Sequence, residues 1–184
     1  MGSTGRTDTR VALLRGINVG TAKRVAMADL RALVESLGYG NVRTLLNSGN
    51  VVFTVPSRLR GNPAARIETA IAKRLGVTTR VTMLSAKDIE TAVQGNPLES
   101  VADNPSRLLL MVLTDRSTRT RLEPLRKQRW APEAFALGER VAYLWLSNGV
   151  MDSPLWSAVT RVVGDGGTAR NITTMTRILS LVNE

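Results

Sequence analysis

Residues 42–55, V-R-T-L-L-N-S-G-N-V-V-F-T-V, carry the clearest structural signal in the first half of this chain. It contains two runs rich in β-branched residues, Val42–Leu46 and Val51–Val55, separated by Asn47-Ser48-Gly49-Asn50. Short β-branched runs on either side of an Asn/Gly turn are typical of a β-hairpin. We therefore predict two antiparallel strands joined at this turn.

The sequence predicts one strand and one helix on each side of the hairpin. Upstream, the apolar run Val11–Leu14 predicts a buried strand, and apolar residues at helical spacing predict a helix over 26–37. Downstream, a helix begins at Asn62-Pro63 and ends at Gly76, and Val77–Leu84 follows as a strand. The order is β-α-β-β-α-β, the split βαβ or ferredoxin-like pattern.

This topology predicts which loops lie together. If the first strand runs up the sheet, the second also runs up and the third runs down. The loop Arg15–Gly20 and the hairpin Asn47–Asn50 then lie at the same end of the sheet. Because the first and third strands are neighbours in this fold, we expect Asn50 to lie close to Gly16.

The second half repeats this theme less clearly. Leu108–Leu113 predicts a buried strand, Thr118–Arg129 a basic helix and residues 133–146 a hairpin, and two helices finish the chain. We predict an α+β protein of three parts: a disordered leader at 1–9, a βαββαβ subdomain at 10–85, and a second α+β subdomain at 86–184 with a βαββ-αα pattern.

The composition excludes several classes of chemistry. The chain contains no Cys and no His. It therefore has no disulfide, no thiolate nucleophile or zinc site, and no His-based catalysis. We predict no metal site and no cofactor, and the sequence leaves open whether the protein is an enzyme.

Charge and hydropathy give expectations about partners and location. The net charge is +10 and the isoelectric point is about 11.3. This charge favours acidic partners, although an arginine-rich composition explains it equally well. The chain has no apolar run long enough to span a membrane, and Met1–Arg10 lacks the apolar core of a signal peptide. We expect a cytoplasmic protein without membrane contact.

The loop after the first strand is the strongest candidate site. Arg15-Gly16-Ile17-Asn18-Val19-Gly20 is followed by Lys23, and glycines between a strand and a helix allow backbone N–H groups to point at an anion. The loop is neither a Walker A sequence nor a dinucleotide-binding fingerprint. The structural alternative is an ordinary turn in which Gly and Asn satisfy backbone angles.

Two other turns have similar alternatives. Hairpin chemistry alone explains Ser48, Gly49 and Asn50 almost completely. Before the last predicted helix, Arg170 could hold an anion at the helix N-terminus, or Asn171 could simply cap that helix.

The segment 116–129 is a candidate nucleic-acid surface. Its positive charge is opposed locally only by the carboxylates of Asp115 and Glu123. Trp130 follows the segment and is a candidate side chain for stacking on a base. The structural alternative is a solvated helix face. Its cations are Arg116, Arg119, Arg121, Arg126, Lys127 and Arg129.

Several of these motifs resemble one bacterial family, catalogued as domain of unknown function 1697. They are V-A-L-L-R-G-I-N-V-G (11–20), M-A-D-L-R-A-L (27–33), L-N-S-G-N-V-V-F (46–53), G-V-M-D-S-P-L (149–155) and T-A-R-N-I-T-T-M-T-R-I-L (168–179). The resemblance implies an α+β fold related to ferredoxin-like folds and no established activity. Its motifs fall on Arg15, Gly16, Asn18, Gly20, Ser48, Gly49, Asn50, Thr168, Arg170 and Asn171. The chain departs from the family pattern at Pro154, where Lys is usual, and at Ile172, where Trp is usual.

We carry four hypotheses forward. The preferred one is a site for a phosphate- or nucleotide-containing anion, built from the 15–20 loop, the 47–50 hairpin and Arg170-Asn171. A second is group transfer in which Arg15 stabilises developing charge and Lys23 or Asp29 assists. The others are non-specific nucleic-acid binding through 116–129 and a protein-interaction module.

Overall fold

The computed structural model describes residues 8–21 and 23–184, which form two compact units. The first unit contains the described residues up to Ala86 together with Leu181–Glu184. The second unit is Lys87–Ser180. Residues 1–7, most of the predicted leader, lie outside the described residues, and the first strand begins at Asp8.

The first unit follows the predicted order of elements. These are β1 (Asp8–Leu14), α1 (Met27–Ser36), β2 (Gly40–Leu45), β3 (Asn50–Val55), α2 (Pro63–Leu75) and β4 (Val81–Ser85). The strands form one sheet in the order β2-β3-β1-β4, and every neighbouring pair is antiparallel. As predicted, β1 lies beside β3.

The limits of α2 follow directly from its sequence. The Asn62 side chain accepts hydrogen bonds from the N–H groups of Ala64 and Ala65, and Pro63 stands at the first helical position, where an N–H is not needed. Gly76 ends the helix with a left-handed φ of 66°. The helix buries Ile67 and Ile71 in the core of the first unit.

The second unit contains a second four-stranded antiparallel sheet. Its strands β5 (Leu108–Leu113), β6 (Ala134–Leu137), β7 (Val141–Trp145) and β8 (Gly167–Asn171) stand in the order β6-β7-β5-β8. The remaining helices are α3 (Ala86–Gln94), α4 (Arg116–Leu122), α5 (Pro154–Val163) and α6 (Ile172–Asn183), the last of which ends in the first unit. The α+β class predicted from the sequence is confirmed.

The sequence pattern missed strand β8. The stretch after α5 is rich in glycine and polar residues, so it resembles a flexible linker, but Gly167–Asn171 pairs along its length with β5. The second half is therefore βαββαβα rather than βαββ-αα. The predicted basic helix is also shorter: α4 ends at Leu122, and a 3₁₀ turn at Glu123–Lys127 follows, because Pro124 cannot donate a helical hydrogen bond.

The sheets of the two units have the same strand order. In the first, the N–H of Leu14 donates to the oxygen of Gly49 at 2.9 Å, and the N–H of Arg15 donates to that of Arg80 at 2.9 Å. In the second, the N–H of Leu113 donates to the backbone oxygen of Arg140, and the N–H of Thr114 donates to that of Gly166, both at 2.8 Å. The ends of β1 and β5 are therefore structurally equivalent, and the loops that follow these two strands can be compared directly.

Candidate functional site

The loop after β1 meets the β2–β3 hairpin, as the topology predicted. In the sheet, Leu13 pairs with Asn50, and the N–H of Leu14 bonds to the oxygen of Gly49. Beyond the strand end, the Asn18 side chain donates to the backbone oxygen of Asn47 at 2.7 Å. The two turns therefore form one continuous surface at one end of the sheet.

Asn18 is the residue that fixes this loop. Its amide nitrogen donates to the oxygens of Val25 (2.8 Å) and Asn47 (2.7 Å), and its amide oxygen accepts from the N–H of Val25 at 2.9 Å. Both amide hydrogens are thus occupied. Among the candidate site residues, Asn18 holds the loop in shape rather than offering a polar group to a ligand.

The backbone of the loop contains several left-handed residues. The φ angles of Gly16, Asn18, Gly20 and Lys23 are 62°, 55°, 62° and 52°. Such residues bend the chain so that successive N–H groups can face one side, an arrangement that binds anions in other proteins. Among the described residues, no acceptor binds the N–H groups of Gly16, Val19 or Gly20.

The hairpin side of the surface is closely packed. Gly49 has a φ of 80°, and a Cβ atom there would lie 2.7 Å from Ile17 Cδ1 and 2.8 Å from Leu14 Cβ. Asn50 is fully buried, and its amide donates to the oxygen of Leu45 and to Ser48 Oγ. Gly49 and Asn50 therefore build the turn, and Ser48 is the half-buried polar side chain that the hairpin adds.

A third segment at this end was missed by sequence reasoning. Thr79 Oγ1 donates to the backbone oxygen of Arg15 at 2.8 Å, and Arg80 pairs with the same residue through its backbone. The signal was present in the topology, because β4 enters the sheet beside β1 at this end. Arg80 is exposed and lies 3.9 Å from Glu68, a long ion pair that leaves it largely in solvent.

Positive charge dominates this surface. Arg15 is half-buried, while Lys23, Arg24 and Arg80 are exposed. Lys23 and Arg24 form no ion pair within the part of the chain that the structure describes. Glu68 is a carboxylate that contacts this surface through Arg80, and one of its oxygens already accepts from the N–H of Val81 at 2.8 Å.

Arg170 and Asn171 belong to the second unit. Arg170 lies within β8, is 8% exposed, and donates to Thr168 Oγ1 (3.0 Å) and to the oxygen of Ala169 (2.8 Å). Burial lowers the pKa of its guanidinium to about 10. Asn171 accepts from the N–H of Thr174 at 2.8 Å and so caps α6, which is the structural alternative expected for it.

Part of the basic segment of the second unit is engaged in local contacts. Glu123 bonds to both Arg119 (2.7 Å) and Arg126 (3.1 Å), and the hydrogen bond from Arg126, with that from Arg119, lowers the pKa of the Glu123 carboxyl. Trp130 is half-buried, and its Nε1 donates to the oxygen of Leu125. The indole is therefore not an exposed platform for a base.

The two residues that depart from the family pattern, Pro154 and Ile172, both lie at the first position of a helix. Pro154 stands at the first position of α5, where its missing N–H is not required. Ser153 caps this helix by accepting from the N–H of Trp156, and it donates to Glu133. Ile172 begins α6 directly after β8, and nothing in the structure explains the loss of the larger side chain there.

Two negative findings apply to residues 8–21 and 23–184. No helix there is both long and apolar enough to cross a membrane. No group of three or more acidic side chains there is arranged to hold a metal ion.

Comparison with known proteins agrees with this α+β architecture. A family model described as a protein of unknown function, DUF1697, matches residues 7–143, and the chain belongs to that family. A solved structure, that of the conserved bacterial protein SP0830 from Streptococcus pneumoniae, is similar, with a TM-score of 0.78 and 22% identity. The match covers 96% of this chain and 99% of that one, and it shows a shared fold. No curated protein matches the chain.

Proposed function

We propose that this protein binds a small phosphate-bearing anion at the end of the first sheet, where the 15–26 loop meets the 46–49 turn, and that it does so in the cytoplasm. The site is confined to the first unit. Its cations are Arg15, Lys23, Arg24 and Arg80, and its backbone donors are the N–H groups of Gly16, Val19 and Gly20.

The length of the loop is the observation that carries the proposal. In the first unit, residues 15–26 connect the strand to its helix. At the equivalent position of the second unit, Thr114 and Asp115 alone connect β5 to α4. Because two residues are enough to connect the strand to its helix in this topology, the connection alone does not explain the longer loop of the first unit. A binding role does, because rigidly held surface loops commonly carry function.

The chemistry of the loop favours an anion as its ligand. Backbone N–H groups without acceptors are strong donors that gain from a charged oxygen. The neighbouring cations Lys23 and Arg24 have no partner among the described residues and would add long-range attraction. Asp29, the carboxylate suggested for group transfer, is exposed in the first turn of α1, and no observation assigns it a reacting partner. Binding is therefore proposed without a reaction.

A thermal-shift titration with inorganic phosphate and pyrophosphate tests the proposal. Ligand at about a hundred times its dissociation constant stabilises a protein by about 2.7 kcal/mol, a readily visible shift. Lys23→Ala should weaken binding about tenfold. Arg58→Ala removes another exposed cation of the first unit, outside the proposed site, and should leave binding unchanged. Equal losses in both variants, or no shift with either anion at low salt, would contradict the proposal.

A further inference from the structure

Two exposed apolar side chains project from the proposed anion-binding surface. Val19 in the 15–26 loop is 71% exposed, and Leu46 in the hairpin turn is 46% exposed. Their chain neighbours, Asn18 and Asn47, are joined by a 2.7 Å hydrogen bond. The two apolar residues therefore lie on loops that meet, one of which also contains Lys23, Arg24 and the N–H groups without acceptors.

The conformation of Leu46 is unfavourable for folding. Its φ is 56°, in the left-handed region, where a bulky non-glycine residue is an outlier. This region raises the energy of an L-residue by about 1–2 kcal/mol, and Asn or Gly tolerates it better. Because Leu46 is 46% exposed, the partial burial of its side chain offsets only part of this conformational energy. Strain of this kind concentrates at functional sites.

We propose that the anion is a nucleoside phosphate whose base packs against Val19 and Leu46. This inference rests on the proposed function. The phosphate would accept hydrogen bonds from the loop N–H groups and pair with Lys23, while the flat, weakly polar base covers the apolar tips. Small-molecule sites combine apolar contacts with a few placed polar groups in this way.

The apolar contact distinguishes this ligand from simpler anions. Inorganic phosphate and pyrophosphate have no apolar face to cover the two side chains. A membrane of anionic lipid offers both phosphate and apolar contact, but two side chains provide little area for insertion. A nucleotide combines the phosphate and the weakly polar ring that this surface would need.

The experiment compares ADP with pyrophosphate by isothermal titration calorimetry on the full chain. We expect wild-type protein to bind ADP about tenfold or more tightly than pyrophosphate. Val19→Ser and Leu46→Asn should each weaken ADP binding about tenfold, the effect of losing roughly 1.4 kcal/mol, and so reduce the preference for ADP over pyrophosphate. Val150→Ser is the matched control, because Val150 is 45% exposed on the second unit.

Leu46→Asn also separates a binding role from a structural one. Asn suits a left-handed turn position, so we expect the melting temperature to stay equal or rise while ADP binding falls. A clear fall in melting temperature would show that Leu46 is needed for folding and would overturn its assignment to the ligand. Val19→Ser, at a more exposed position, tests the apolar contact independently.

The remaining outcomes separate this inference from the proposed function. Equal affinity for ADP and pyrophosphate would overturn the nucleotide inference and leave the anion site standing. Failure of both ligands to bind would contradict both proposals. Cosedimentation with phosphatidylserine vesicles that both variants abolish, with no preference for ADP, would replace the nucleotide by a lipid surface.

Discussion

The side-chain amide of Asn18 donates a 2.7 Å hydrogen bond to the backbone oxygen of Asn47, across 29 positions of the chain. This bond joins the loop after β1 to the turn between β2 and β3. The same amide also closes its own loop by exchanging two hydrogen bonds with Val25. The link between these two turns therefore depends on this side chain.

Replacing Asn18 should loosen the loop. Asn18→Ala removes the donor for two backbone oxygens, and we expect a loss of about 1–2 kcal/mol in the free energy of unfolding by urea. Asn18→Asp should be at least as harmful, because a carboxylate oxygen would face those two oxygens. Asn47→Ala is the matched control, since the acceptor is a backbone atom. A loss in Asn47→Ala as large as in Asn18→Ala would contradict this account.

Gly49 and Gly16 should differ strongly in their tolerance of alanine. Both have left-handed φ angles, of 80° and 62°. At Gly49 the added Cβ would clash with Ile17 and Leu14, whereas at Gly16 nothing lies within 4 Å. We expect Gly16→Ala to cost about 1 kcal/mol and Gly49→Ala about 3 kcal/mol or more, as measured by chemical denaturation. Similar losses at the two positions would show that the close packing is not significant.

The Tyr143 hydroxyl should stabilise the second unit at neutral pH, and this stabilisation should be lost at alkaline pH. Its hydroxyl donates to the oxygen of Ala92 at 2.7 Å, and burial raises its pKa above the usual 10.0. Tyr143→Phe should therefore lose about 1 kcal/mol at pH 8. Because the folded pKa exceeds the unfolded one, this difference is full below pH 10 and declines as pH rises through the folded pKa. A difference that stays constant across that range would show that the hydroxyl does not titrate with folding.

Asp115 should stabilise α4 as its N-cap. It accepts hydrogen bonds from Thr118 N–H and from the Ser117 and Thr118 hydroxyls, and these bonds, led by the backbone one, lower the pKa of its carboxyl below 3.8. Asp115→Ala should cost about 1 kcal/mol near pH 7.

The pH dependence and a conservative variant check this assignment. A lowered pKa gives stability that is present above pH 3.8 and lost as pH falls through the folded value, so the difference between wild type and Asp115→Ala should shrink in acid. Asp115→Asn keeps a capping oxygen and should lose little at pH 7. If it loses as much as Asp115→Ala, the cap depends on charge rather than on hydrogen bonding.

The parts of the fold that the sequence predicted well are those with local signals. The hairpin follows from an Asn/Gly turn between β-branched runs, and α2 from Asn62-Pro63 at its start and Gly76 at its end. The meeting of the 15–20 loop with the hairpin then followed from topology alone. Strand β8 was missed because its residues carry no apolar run, and only pairing with β5 makes them a strand.

The roles of individual site residues were harder to predict. Asn18 and Asn50 have the residue types of a polar site, but their amides are bonded to the backbone of the turns. Thr79 and Arg80 precede β4 without a motif, so only the sheet order brings them beside Arg15. The sequence pattern identifies a polar turn. Which of its residues hold the turn in shape, and which are free to contact a ligand, depends on contacts made across the sheet.

In the proposed function, the loop after β1 binds an anion through its backbone donors. An ¹⁵N–¹H correlation spectrum of the full chain, recorded during titration with pyrophosphate, reports on each of these donors separately. We expect saturable shifts centred on the amides of Gly16, Val19 and Gly20, and loss of these shifts at low ligand concentration in Lys23→Ala. Shifts centred on residues 116–129 instead, or no saturable shift at the loop, would contradict the proposal.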